Sequence, residues 1–104
     1  MNGVMNNAKW ELRLAMYALG NFRPRFRTKV LSGYISDWDG EWYYHFRSGG
    51  YDDVEWVELK TPDPAQRQAI RKCLREIHVP GEETEEAFRV LGWTEPGAPV
   101  RYIE

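Results

Sequence analysis

The sequence predicts an α+β fold: an antiparallel β-meander of three to four strands, packed by an N-terminal helix and a second long helix, with a short third helix. Three observations carry this. Apolar residues recur at helical spacing in residues 10–19 and 70–77. They alternate at strand spacing through residues 22–46 and return as a β-branched and aromatic run at residues 54–59. Consecutive strands flanked by helices are the arrangement of an α+β domain.

The elements follow in order. Asn6 or Asn7 caps a first helix in which Trp10, Leu14 and Tyr17 fall at i, i+4 and i+7 beside Leu12, Met16 and Leu19, and Gly20 supplies a left-handed stop. Arg23, Arg25, Arg27 and Lys29 then alternate with Phe22, Pro24, Phe26 and Thr28, so an extended strand with one cationic face is expected, Pro24 lying near its start. Asp39-Gly40 is a two-residue hairpin signal. Centred there, Leu31, Gly33, Ile35, Trp42, Tyr44 and Phe46 share a core face, while Ser32, Ser36, Trp38, Glu41, Tyr43, His45 and Arg47 share a mixed, partly wet one. Ser48-Gly49-Gly50 breaks the strand before the third one at Val54 to Leu59. Asp63, Pro64 and Gln66 start a helix with Ile70, Cys73, Leu74 and Ile77 inward and Arg67, Arg71, Lys72 and Arg75 outward. His78 to Gly81 end it. Thr84 caps a short helix closed by Gly92, Pro96-Gly97 turns, and Val100 to Ile103 add a last strand.

A chain of 104 residues and 12.3 kDa suits one domain, residues 1–104. With 42 % apolar residues and 15 aromatics it has too much to bury to stay disordered. No run approaches the roughly 18 apolar residues of a membrane span, and no basic-then-apolar leader opens the chain, so a cytoplasmic protein is expected. The single cysteine, Cys73, excludes a disulfide framework within the chain. Charge comes in blocks: net +5 over residues 9–29, −6 over 37–58, +3 over 60–76 and −4 over 82–104. Such blocks most simply attract one another once folded.

Few constellations carry chemistry. Asp37, Asp39 and Glu41 imitate a calcium loop, but placing Gly40 sixth puts Ile35 first and Phe46 twelfth, where carboxylates are required; no metal or cofactor is implied. His45 beside Tyr43 allows a small enzyme or ligand site if a pocket holds both, although no nucleophile or oxyanion stabiliser accompanies them. His78 suits a helix C-terminus. Cys73, among Ile70, Leu74 and Ile77, reads as a core thiol. Arg23, Arg25, Arg27 and Lys29, extended by Arg67, Arg71 and Arg75, make a nucleic-acid surface conceivable, against an overall pI of 5.7. The same strand is equally able to pair with Asp52, Asp53, Glu55 and Glu58. The remaining feature is aromatic surplus among carboxylates, the composition of a surface for a basic protein partner: Trp38, Asp39, Glu41, Tyr43, Asp52, Asp53 and Trp56.

The segments Asp37-Trp38-Asp39-Gly40-Glu41-Trp42-Tyr43-Tyr44-His45-Phe46, Val54-Glu55-Trp56-Val57-Glu58 and Ile77-His78-Val79-Pro80-Gly81-Glu82-Glu83 resemble a family of small bacterial proteins known only as a domain of unknown function. The likeness spans residues 9–93 and implies a bacterial single-domain protein, with no activity or catalytic residue attached. In size and composition the chain also resembles immunity proteins that neutralise bacterial toxins. The expectation is a non-enzymatic binding module, an immunity-type or regulatory inhibitor covering a basic site on a toxin or enzyme, with no membrane partner.

Overall fold

The computed structural model describes residues 2–42 and 52–104. Its strands are β1 (Asn2–Gly3), β2 (Phe26–Val30), β3 (Val54–Lys60), β4 (Gly81–Glu83), β5 (Ala87–Leu91) and β6 (Trp93–Thr94); its helices are α1 (Asn7–Trp10), α2 (Leu12–Tyr17) and α3 (Pro64–Ile77). A 3-10 turn spans Gly20–Phe22. The fold is α+β, with an antiparallel four-stranded sheet in the order β2-β3-β5-β4 and an antiparallel pair of β1 with β6.

Strand alternation sorts the larger sheet into two faces. Phe26, Leu59 and Phe88 stand side by side across β2, β3 and β5, as do Thr28, Val57 and Val90. This face meets the helices in one core, in which Trp10, Leu12, Met16, Ile70 and Leu74 pack with Val57, Leu59, Phe88 and Val90. Each fully buried large side chain there contributes about 1.5–3 kcal/mol. On the other face Arg27, Glu58, Arg89 and Glu82 lie in register across all four strands, so the charges alternate in sign along one row.

Helix α3 starts as its sequence predicts: the Asp63 carboxylate accepts the Gln66 amide hydrogen at 3.0 Å and Pro64 takes the first turn. It ends at His78, held in the left-handed region at φ 64° by bonds from its N–H to the carbonyls of Leu74 and Arg75. The first helix also begins as expected, with Asn6 Oδ1 accepting the Lys9 N–H at 2.8 Å and Gly20 left-handed at φ 59°. Its apolar stripe is rotated, however. Trp10, Leu12 and Met16 are buried, while Leu14 and Tyr17 are exposed, because the helix breaks between α1 and α2 and resets the facing.

Two expectations are overturned. The two-residue turn expected at Asp39-Gly40 does not form, and the returning arm expected from Tyr43 to Arg47 lies outside the described residues. The chain turns over residues 31–34, where Gly33 adopts φ 101° and its N–H reaches the Val30 carbonyl, and residues 35–39 return beside β2 through bridges from Lys29 to Ile35 and Phe26 to Asp39. A type I′ turn needs positive φ at both central residues, which neither Asp39 nor Gly40 has. Asp39 Oδ1 instead accepts the Glu41 N–H at 2.8 Å. Of the predicted core face, Trp42 is buried against Phe26 at 4.3 Å, with its indole N–H on the Pro24 carbonyl. Leu31 and Ile35 are exposed, and Tyr44 and Phe46 lie outside the described residues.

The predicted third helix is strand β5. Thr84 closes a turn rather than capping a helix: its Oγ1 accepts the Ala87 N–H at 3.1 Å, and Arg67 donates to the carbonyls of Thr84 and Glu85. Phe88 and Val90 then alternate inward with Arg89 outward. Gly92 is small for a steric reason, since a Cβ there would lie 2.1 Å from the Val54 carbonyl oxygen. At the C-terminus the expected strand is reduced to one bridge, Pro80 with Tyr102, which sits after a turn at Pro96-Gly97.

Candidate protein-binding surface

The charge blocks neutralise one another across the sheet. Arg27 Nε donates to Glu58 Oε1 at 2.7 Å, and Arg89 donates to Glu58 Oε2 at 3.0 Å, so one carboxylate with a 7 % exposed side chain serves two guanidiniums. Lys29 pairs with Glu55 at 3.0 Å. Between α3 and β4, Arg67 and Arg71 both donate to Glu83 Oε2, at 2.7 and 2.5 Å. Burial pushes the Glu83 carboxyl up, but these hydrogen bonds and the two positive charges outweigh it and hold it below the usual glutamate value.

This arrangement consumes much of the surface expected to meet a partner. Trp56 is buried, with the Arg89 guanidinium 4.6 Å from its ring centroid, so it is no contact anchor. Trp38 is half-buried, flanked by Arg27 at 4.6 Å and Lys60 at 5.4 Å. Asp39 is half-buried in the bridge to Phe26, Glu41, Asp52 and Asp53 are exposed, and Tyr43 lies outside the described residues with His45. The expected cationic set is likewise divided. Arg27, Lys29, Arg67 and Arg71 are held by carboxylates, while Arg23, Arg25 and Arg75 are exposed. Arg67 and Arg71 meet Glu83 rather than extending the β2 row.

What remains open is a tip at residues 31–35, of which the sequence pattern places Leu31, Gly33 and Ile35 on the core face. Leu31, Tyr34 and Ile35 are 42, 68 and 47 % exposed within five residues. Their backbone is pinned: Val30 donates to the Tyr34 carbonyl at 3.0 Å and Leu31 to the Asp53 carbonyl at 2.8 Å. That second bond sets the Asp52-Asp53 turn beside the tip, and Trp93 fixes the same turn by donating its indole N–H to the Asp52 carbonyl at 3.0 Å. Asp37, Asp52 and Asp53 are exposed and have no cation partner among the described residues. The result is an apolar knob with carboxylates around it. Ser32-Gly33, a turn dipeptide between Leu31 and Tyr34, was the signal that could have located it.

The family of unknown function DUF6678 matches residues 1–97. The chain belongs to this family. No curated protein and no solved structure matches the chain.

Other chemistry-bearing groups lie elsewhere in this DUF6678 chain. Cys73 is half-buried on α3, and burial, with Glu76 adding to it and Lys72 opposing, pushes its thiol up, away from the reactive thiolate. The His78 ring stacks on Tyr102 at 4.1 Å. Among the described residues no group of three or more His, Cys, Asp and Glu side chains is placed to hold a metal ion, and no helix is long and apolar enough to cross a membrane.

Proposed function

We propose that this chain is a non-enzymatic protein-binding module that docks through the tip at residues 31–35 onto a partner presenting an apolar recess rimmed by basic side chains. The exposure of Leu31, Tyr34 and Ile35 on a backbone tied at both ends carries this reading. Rigid aromatic and aliphatic side chains lose little entropy on docking and act as anchors. Asp37, Asp52 and Asp53, with Glu41 further along the chain, steer a basic partner. In its specific form the module is a cytoplasmic inhibitor of the immunity type, covering a basic site on a toxin or enzyme. The nucleic-acid alternative is disfavoured by the ion pairs of Arg27, Lys29, Arg67 and Arg71.

Affinity capture from extract of the source cells tests it, with three baits: the native chain, a Tyr34→Ala/Ile35→Ala variant and a Lys72→Ala/Arg75→Ala control. The partner is the species held by the native and control baits, released by salt, and weakened about 30-fold or more by the tip variant, the effect of losing a binding hot spot. Equal retention on all three baits refutes the docking site.

A further inference from the structure

We infer that the groove between the start of β2 and the start of α3 is an oxyanion site that takes a phosphate monoester group. It stands apart from the docking tip. The groove lies at the end of the β2 and β3 pair where Phe26 meets Leu59, and the tip lies at the other end, where Val30 meets Val54.

Arg23, Arg25, Lys60, Pro62 and Gln66 line a cavity of about 280 Å³. Five cations on or beside the sheet, Arg27, Lys29, Arg67, Arg71 and Arg89, are in ion pairs, yet these three lining cations have no carboxylate partner among the described residues. Three positive charges are thus gathered in one concavity without neutralisation.

The backbone holds them there. The Lys60 N–H donates to the Arg25 carbonyl at 2.8 Å, which sets the two side chains on adjacent strand ends. Gln66 Nε2 donates to the carbonyls of Phe22 and Arg23, tying the chain that carries Arg23 to α3. Arg23 spends its Nε on the Tyr17 carbonyl and lies over the Tyr17 ring at 3.9 Å, leaving its two terminal NH₂ groups for a ligand. The two acids nearest Lys60 in sequence are both engaged elsewhere: Glu58 is held by Arg27 and Arg89, and Asp63 turns its carboxylate to its own helix, on the Gln66 N–H.

The ligand class follows from charge and size. Guanidinium forks present paired donors to a tetrahedral oxyanion. A phosphate monoester, with a second pKa of about 6, carries nearly two negative charges at neutral pH and suits three cations better than a carboxylate does. The volume falls at the lower edge of the roughly 300–1,000 Å³ of small-molecule sites, enough for the phosphate and a few attached atoms. A single strand of nucleic acid needs about 4 or more nucleotides of track. Its continuation along β2 meets Arg27 and Lys29, already held by Glu58 and Glu55.

Amide-resolved NMR titration at low salt, with inorganic phosphate, phenyl phosphate and a twelve-residue oligothymidylate as probes, tests the site. Both phosphates are expected to saturate at millimolar concentration, with shifts centred on residues 23–25 and 60–66. Arg25 is the variant of choice, because its side chain is exposed and makes no ion pair with a described residue, so its loss leaves the fold's own contacts in place. Arg25→Gln is expected to weaken phenyl phosphate about tenfold or more, and Lys72→Gln/Arg75→Gln to leave it unchanged. The proposal is overturned by any of three results: no saturable shift at tens of millimolar phosphate, equal weakening by both variants, or preference for the oligonucleotide with a salt slope of several phosphates.

Discussion

Replacing Glu58 by glutamine keeps the side chain's shape and removes the one negative charge between Arg27 and Arg89. In the native chain Oε1 accepts from Arg27 at 2.7 Å, and Oε2 accepts from Arg89 Nη2 at 3.0 Å and Nε at 3.3 Å. Each charge pair has a gross attraction of about 4 kcal/mol at 4 Å and an effective dielectric constant near 20. Stripping one partner from a fully buried pair costs about 3–5 kcal/mol, whereas exposed pairs are worth about 0–1 kcal/mol. Glu58 belongs to the first class at 7 % exposure, but Arg27 and Arg89 are 38 and 35 % exposed, so water screens them and takes up some of the freed donors. The loss therefore falls between the limits, at about 2 kcal/mol, and lowers Tm by about 8–16 °C for a domain of this size. Urea unfolding followed by tryptophan fluorescence reads it, with Glu55→Gln, on the flanking pair to Lys29, as the comparison. A Glu58→Gln chain within about 0.5 kcal/mol of native, or a Glu55→Gln cost as large, refutes the claim that the sheet is stapled through Glu58.

Three further outcomes follow from the same geometry. Glu83 titrates below its ordinary value in the folded chain, so its contribution is complete above the unfolded value of 4.5 and disappears as pH falls through the lowered one; Glu83→Gln is expected to flatten that part of the acid unfolding profile. Asp63→Ala removes the α3 cap and is expected to cost about 1 kcal/mol in the same urea assay, with little loss for the exposed Gln68→Ala. Cys73, half-buried with a raised pKa, is expected to alkylate far more slowly at pH 8 in the native chain than in urea, and equal rates contradict its placement.

The elements legible in the sequence are those whose local chemistry also decides the tertiary answer. Asp63, Pro64 and Gln66 cap α3 in any context, and the run from Val54 to Leu59 has only the strand to adopt. The opposite charge blocks did predict attraction, and the register of Arg27, Glu58 and Arg89 is its realisation. Failures came where two local signals competed. Asp39-Gly40 matches a hairpin turn, but neither residue has the positive φ of one, and the turn at Ser32-Gly33 takes up residues that the alternation counts as strand, which leaves Leu31 and Ile35 at the surface. Thr84 with Glu85 and Glu86 matches a helix cap, yet Arg67 binds the carbonyls a helix would need, and Phe88 and Val90 bury better at period two. The docking site suffered most. Composition marks Trp56 as an anchor, but composition does not say that Arg89 lies over it.

The docking tip is tested most directly by photo-crosslinking from within it. Benzoylphenylalanine placed at Tyr34, and separately at Lys72 on the far helix, is irradiated with the partner retained by affinity capture. A covalent adduct is expected from position 34 and none from position 72; an adduct from position 72 alone, or in equal yield from both, rules out docking through the tip.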